Sequence, residues 1–468
     1  MSDQMKPVPF KNLLEWTIRE FIQAQTIFGI PCQQFYFSQT EQPPLRIFGE
    51  SLDNPLGPAA GPHTQLAQNI VAAYLVGGRF MELKTVQKLD ELKIDKPCID
   101  AEDEGYNVEW SQELRLGQSF EEYVKAWFLI HFLRSFFGLS QQEEKGFVFN
   151  MSVGYDLAGI RTEPMDWFIE SLKNAGQADI FHHCLESLLE GLDKDLLSRL
   201  LKKRQECLPG KGPDDLNAII STFEHISPLI SHSVTLSTMH GCPPQEIEAI
   251  CNYLLEEKGL HTYVKLNPTL LGYNIVESML YALGYNYIRL ERKSFDHDLQ
   301  FQDAVPMLER LKTFAKLQER EFGVKLSNTL GTLNQKKVLA GDQMYLSGRA
   351  LFPLTVNLAA KLSRAMEGQL KISYSGGATV HNVLPLLESG IYPVTLVTDL
   401  LKPGGYLRLR QMAERIESLL MDGSLDRNSP NPEKLRLLAQ NAMDDFRYKK
   451  NSREIKSIKI DQKLPLFD

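Results

Sequence analysis

Apolar residues along this chain fall into two rhythms. Short runs rich in Val, Ile, Leu and Phe recur at residues 80–86 (FMELKTV), 147–153 (FVFNMSV), 234–236, 263–266, 285–290, 323–327, 371–374 and 394–397, and most end in small or polar residues. Between them apolar positions return every three or four residues, the period of a helix with one buried face, as at 65–75, 120–137, 246–254, 301–320 and 352–366. Strands alternating with helices from about residue 46 to residue 410 specify a parallel sheet. A first strand just ahead of the small-residue stretch at 54–64 brings the strand-like segments to nine. A closed (β/α)8 TIM barrel takes eight, so one segment is surplus, and the doubt falls on 285–290 and 323–327.

Residues 234–267 form the most informative unit: a strand, a polar turn, a helix and a second strand. Ser237, Thr238, His240 and Cys242 crowd the turn, and Pro243 and Pro244 suit the entry to a helix because proline fixes φ and needs no donor there. In parallel α/β folds ligands sit at the carboxyl ends of the strands. His240, Cys242, Lys265 and Asn267 therefore face one common site. A purely structural turn around a buried cysteine accounts for the turn equally well.

The flanks carry less chemistry. Leu13, Leu14, Ile18, Phe21, Ile22 and Phe28 mark an amphipathic N-terminal helix. Residues 164–231 read as a helical insertion after the third strand, and a helix near 432–446 precedes a linker-like tail at 447–459. The expected organisation is a helical segment at 1–45, the barrel at 46–420 and a C-terminal helix and tail at 421–468. An acidic loop, with Asp100, Glu102, Asp103 and Glu104, lacks the alternation of oxygen ligands that calcium needs and reads as solvated.

Composition narrows the class. The 468 residues are 43% apolar and 24% charged, with a net charge of −8, which argues against nucleic acid or an anionic membrane as a main partner. Cys32, Cys98, Cys184, Cys207, Cys242 and Cys251 include no CxxC pair and follow no secretory signal, favouring reduced thiols in a cytoplasm and offering no metal ligand set. The longest apolar run, 126–139, contains His131 and Arg134 and is too short to span a bilayer.

The strand ends supply the chemistry. Small residues at 54–64 let backbone approach a flat or charged ligand. Lys84 and Lys265 end two apolar strands, and the glycines of Ser375-Gly376-Gly377 stand where many barrels bind phosphate. The order NPLG…AAG, ELKT, TLSTMHG, VKLNP, SNT, LSGRAL and SGG resembles the FMN-binding barrels of dihydroorotate dehydrogenase and of the flavin domain of dihydropyrimidine dehydrogenase. Longer runs, GPAAGPHTQLAQNIV, STMHGCPPQEIEAIC, KLNPTLLGY, SFDHDL and TDLLKPGGYLRL, resemble the amino-terminal domain of the selenate reductase-like iron–sulfur flavoproteins. Those proteins continue into iron–sulfur, FAD and NADPH modules, so the resemblance implies a domain or one half of a split enzyme.

Carried over, the resemblance implies an FMN-dependent oxidoreductase moving electrons between a small, nitrogen-heterocyclic substrate and iron–sulfur/FAD partner modules. Ala59, Ala60 and Gly61 would approach the flavin by backbone, with Lys84, Thr85 and Lys265 beside it; a cation there stabilises the anion of the reduced ring. Gly376 and Gly377 would cradle its phosphate, with Gly348 and Thr398 also binding the cofactor. Thr235, Asn267, Asn328 and Thr329 would hold the substrate. Cys242 would exchange the proton, with Lys265 also in a catalytic role. Two departures stand out: Thr235 replaces an Asn of the pyrimidine enzymes, and Asp399 puts a carboxylate near the expected phosphate. Two alternatives follow. One is a flavin-free barrel docking the partners of a redox complex. The other is a metal-dependent hydrolase or lyase using His63, His240, Cys242, Asp296, His297 and Asp298, whose spacing fits no standard ligand set.

Overall fold

The computed structural model describes residues 5–38, 45–89, 96–101, 104–108, 112–238, 240–421 and 429–450. Eight strands form one sheet: β1 (Leu56–Pro58), β2 (Phe80–Glu82), β3 (Val148–Gly154), β4 (Ser233–Ser237), β5 (His261–Leu266), β6 (Phe322–Leu326), β7 (Lys371–Tyr374) and β8 (Val394–Leu396). Their order is β1-β8-β7-β6-β5-β4-β3-β2, each neighbour parallel. The two ends of the sheet meet where Arg79 N donates to Leu56 O at 2.7 Å. A Cβ on Gly57 would stand 1.6 Å from the carbonyl oxygen of Phe80, so that seam requires a residue without a side chain. The result is the expected (β/α)8 barrel.

The surplus segment is 285–290. Its residues form no strand; Tyr285 is buried and donates its hydroxyl to Tyr448 O (2.9 Å), and Arg289 O accepts from Leu333 N (2.9 Å). Apolar alternation there serves packing on loops instead of a ladder. The helices are found where expected, at Phe10–Ala24, in four insertion helices between Glu163 and Glu224, and at Pro432–Asp444. The first barrel strand, by contrast, lies within the small-residue stretch and not ahead of it, where a hairpin stands, and the start of the expected linker tail is a 3-10 turn, Phe446–Tyr448, with Tyr448 buried on Phe352. Helix Leu116–Phe137 is buried nearly all round because the insertion helices and the N-terminal helix cover its outer face, with Phe10 edge-on to Phe128 and Phe21 edge-on to Phe137. Among the described residues no helix is long and apolar enough to cross a membrane.

Two ends of the barrel are closed differently. At the amino ends of the strands, Phe48 stacks on His261 and meets Tyr263 edge-on from the tip of the hairpin Leu45–Ile47/Glu50–Leu52. Behind it Arg79, fully buried, donates to Asp53 (3.0 Å) and to the carbonyls of Tyr74 (2.7 Å) and Gly78 (2.9 Å) while lying over the Tyr74 ring. At the carboxyl ends a four-stranded antiparallel rim sheet joins Leu330–Leu333, Gln343–Ser347, Gly105–Asn107 and Ile99–Asp100. The acidic loop is thus a structural rim and not a solvated excursion: Glu104 is buried and ion-paired with Lys450. Glu102 and Asp103 lie outside the described residues, as do residues 451–459 of the tail.

Helix Pro432–Asp444 packs along Leu351–Ala365 and starts from Asn431, whose side chain accepts from the amides of Glu433 (3.1 Å) and Lys434 (3.0 Å). Asn431→Ala is expected to lower stability by about 1 kcal/mol, read as a shifted urea midpoint with an unchanged slope.

Candidate functional site

Every strand but β3, or its carboxyl-terminal extension, delivers residues to a cleft at the carboxyl ends of the barrel, whose empty volume with its open mouth is about 1380 Å³. Strand alternation decides what enters it. In β2 and its extension Glu82 and Lys84 point inward, and in β5 and β6 Lys265 and Lys325 hold the same register, paired directly across the ladder. Lys325 and Glu82 form an ion pair inside the barrel, both side chains 2% exposed. Glu82 also accepts from Ala60 N (3.2 Å) and Thr395 Oγ1 (3.1 Å), so one carboxylate ties β2, β6, β8 and the loop after β1 together beneath the cleft.

Lys84 and Lys265 stand on the cleft wall. Burial pushes the Lys265 ammonium down to about 7, with the Lys325 charge adding to the effect and Glu82 opposing it. Burial likewise lowers Lys84 to about 8, with Glu113 opposing. Among the described residues Lys265 makes no hydrogen bond or ion pair. Three ammonium groups thus share a low-dielectric floor with a single fully buried carboxylate, which leaves the cleft attractive to an anion or an electron-rich ring.

The opposite wall is backbone. The carbonyls of Gly376 and Gly377 are taken by the Tyr374 hydroxyl (3.0 Å) and by Asn382 Nδ2 (3.0 Å). The amides of Gly376, Gly377 and Ala378 line the cleft and donate to nothing among the described residues. Gly377 has φ +74°, and a Cβ on it would lie 2.2 Å from Gly348 O. Three adjacent undonated amides form an anion cradle of the kind that backbone nests provide. Asp399 does not spoil it: its carboxylate is held by Arg408 Nη1 at 3.0 Å, so the expected repulsion of a phosphate is neutralised.

The cleft brings together ten of the residues singled out from sequence for a cofactor: Ala59, Ala60, Gly61, Lys84, Thr85, Lys265, Gly348, Gly376, Gly377 and Thr398. Asn328 and Thr329 line it as well. Thr235 does not reach the wall; it lies deeper in the barrel and accepts from Asn150 Nδ2 at 2.8 Å. Asn267 and Cys242 line a small separate pocket with Thr238 and Asp298. Asn267 meets the cleft wall at Asn328, whose Nδ2 donates to its Oδ1 at 2.6 Å. The Cys242 thiol is pushed up to about 11 by burial, with Glu246 and Asp156 adding to it, away from the neutral range that proton exchange favours. His240 packs its ring near Tyr345 and lies 3.0 Å from Asp298.

Sequence reasoning missed Glu82, Lys325 and Arg408. A usable signal existed for the first two: one acid and one base, each inside an otherwise apolar strand, rarely survive there unless they pair. It also missed the rim, since Gly105, Tyr106 and Asn107 reach the cleft wall only through pairing with Gln343–Ser347.

Comparison with known proteins adds three findings. Residues 28–450 match the family model described as oxidoreductase YgfK, N-terminal TIM-barrel domain. The chain is 49% identical over 473 aligned residues to oxidoreductase YgfK of Escherichia coli (strain K12), and equally to that of Escherichia coli O157:H7. Those alignments cover 100% of this chain and 44% of either relative, so the chain spans less than half the length of the curated relatives it matches. Among solved structures, the ligand-free type DHODH from Eimeria tenella aligns over 90% of this chain and 97% of its own, with a TM-score of 0.43 and 14% identity.

Proposed function

Since the chain belongs to the family of the oxidoreductase YgfK N-terminal TIM-barrel domain, we propose that it is a flavin-dependent oxidoreductase domain that holds FMN in the cleft and acts on a small substrate, a nitrogen heterocycle in the fullest form of this reading. The observation that carries it is the meeting of two ligand-hungry walls in one cleft: undonated amides at Gly376, Gly377 and Ala378, and buried ammonium groups at Lys84 and Lys265. Their chemistry fits FMN at both ends. Gly376, Gly377, Gly348 and Thr398 would hold the phosphate; Ala59, Ala60 and Gly61, with no bulk of their own, leave room for a flat ring beside Lys84, Thr85 and Lys265. When bound, FMN supplies the two-electron chemistry that no protein side chain offers.

The chain's own residues have definable tasks. Lys265 and Lys84 set a positive potential on the ring side of the cleft, Glu82 fixes the Ala60 backbone beside it, and Asn328 and Thr329 orient the substrate. Electrons would pass onward to iron–sulfur and FAD modules, which the longer relatives have the length to carry. An oxyanion such as selenate also suits a cationic floor, but it leaves the amide wall of Asn328 without a purpose. With Asp399 neutralised by Arg408, the flavin-free docking reading loses its main support.

Titrating the purified chain with FMN tests the proposal: one equivalent is taken up, with a changed flavin spectrum, and no uptake defeats it. Affinity also carries a pH signature. Both lysines have lowered pKa values, so each is charged below its value and neutral above it. An anionic ligand favours the charged forms; affinity is therefore strongest near pH 6.5 and falls as pH rises through about 7 to 8. A weakening of about tenfold by pH 8.5, with proton uptake on binding seen as buffer-dependent heats, is the expected result.

A further inference from the structure

Residues 445–450 lie against the carboxyl end of the barrel, and their contacts gather around the glycine cradle. Arg349, on the cleft wall and 7% exposed, donates its Nη1 to the carbonyls of Arg447 (2.8 Å) and Lys449 (3.0 Å). Tyr448 is buried, with its ring stacked 4.7 Å from that of Phe352 and its carbonyl taken by the Tyr285 hydroxyl. Lys450 N donates to Leu283 O (2.9 Å), and the Lys450 ammonium pairs with buried Glu104 on the rim.

Asn382 joins this segment to the cradle. It is buried after β7, and its Oδ1 accepts from Thr379 N (2.8 Å), which turns its NH2 the other way. From there Nδ2 donates to Gly377 O (3.0 Å) and to the Tyr448 hydroxyl (3.1 Å). Phe352 makes a second link: it carries the Tyr448 ring and lies beside Gly377, its Cβ 3.2 Å from where a Cβ would stand there. Arg349 makes a third, because it follows Gly348, whose carbonyl abuts Gly377.

We infer that residues 445–450 are a strap that holds the cradle's loops in their converged arrangement, with Tyr448 as its positioning residue, so that retention of the cofactor's phosphate depends on a segment outside the barrel. This rests on the reading that FMN occupies the cleft. Amides that must converge on a phosphate cost ordering entropy at binding unless the loop is already fixed, and the strap fixes it. The effect is confined to one end of the ligand. The ring's wall stands on β1, β2 and β5, whereas the glycines that the strap steadies follow β6 and β7.

The test compares FMN with riboflavin, which lacks the phosphate, in fluorescence titrations of the whole chain. Tyr448→Phe keeps the stack and removes the acceptor of Asn382; FMN affinity is expected to fall about threefold. Tyr448→Ala removes both and is expected to weaken FMN about thirtyfold. Riboflavin affinity changes less than about twofold in either, and Leu437→Ala, exposed on the preceding helix, alters neither ligand. Unchanged FMN affinity in both Tyr448 variants overturns the inference, and so does equal weakening of FMN and riboflavin, which is the mark of a merely structural role. Should Tyr448→Ala fail to fold, Tyr448→Phe decides by the same two criteria. A wild-type chain that takes up no FMN defeats the flavin reading separately. The strap is then judged by hydrogen exchange in the flavin-free chain at the amides of Thr379, Asn382 and Val383, which are bonded within the loop. Either Tyr448 variant is expected to speed that exchange and leave the barrel strands as they are, and unchanged exchange overturns the inference.

Discussion

Glu82→Gln is expected to cost about 3–5 kcal/mol of stability, the range for removing one partner of a buried ion pair. The loss comes from what remains. Lys325, 2% exposed, would keep its long stem inside the barrel with no carboxylate to answer its charge. Burial already lowers the Lys325 pKa, and Glu82 is the group that opposes the shift. The ammonium would therefore shed its proton or draw water into the core. Urea unfolding measures the effect directly. Lys325→Met added to Glu82→Gln should recover most of it, since the pair then becomes a neutral amide beside an apolar chain. A double variant no more stable than the single one would place the damage in the lost contacts to Ala60 and Thr395 instead.

Gly377→Ala should weaken FMN binding by about a hundredfold and lower the unfolding midpoint by the equivalent of about 1–3 kcal/mol of backbone strain. At φ +74° a Cβ is strained, and here it would also sit 2.2 Å from Gly348 O. The loop must move, and its three amides cease to converge. Riboflavin, which has no phosphate, provides the control: its affinity should change far less, so that the variant loses the ability to tell the two flavins apart. Equal weakening of both would mean that the ring, and not the phosphate, meets this loop.

Much of the barrel could be read from the chain, and the reasons are local. A parallel strand buried on both faces is a short apolar run, and its chemistry gathers at one end, so Lys84, Lys265, Gly376 and Asn328 announced themselves by position. Failures arose where a role depends on a distant partner. Residues 285–290 have the composition of a strand, yet Tyr285 is bound to the backbone at Tyr448, far along the chain. Glu82 and Lys325 lie on strands that never neighbour each other in the sheet and meet only across its interior. Thr235 and Ser237 share a strand face, but only Ser237 is high enough to reach the cleft. Depth along the barrel axis is not written in a period of two. Asp399 looked hostile to phosphate because Arg408 is supplied by the start of the next helix.

The rim sheet has a kinetic consequence. Its central contact joins Gly105–Asn107 to Gln343–Ser347, segments from opposite parts of the chain, with Leu346 opposite Tyr106. Closing so long a loop repays its entropy only once the intervening barrel strands already hold the two segments near each other. The cleft wall is therefore completed after the barrel beneath it. Because its strands are two to five residues long, separating them breaks few hydrogen bonds, so the rim can open locally while the eight-stranded core stays closed.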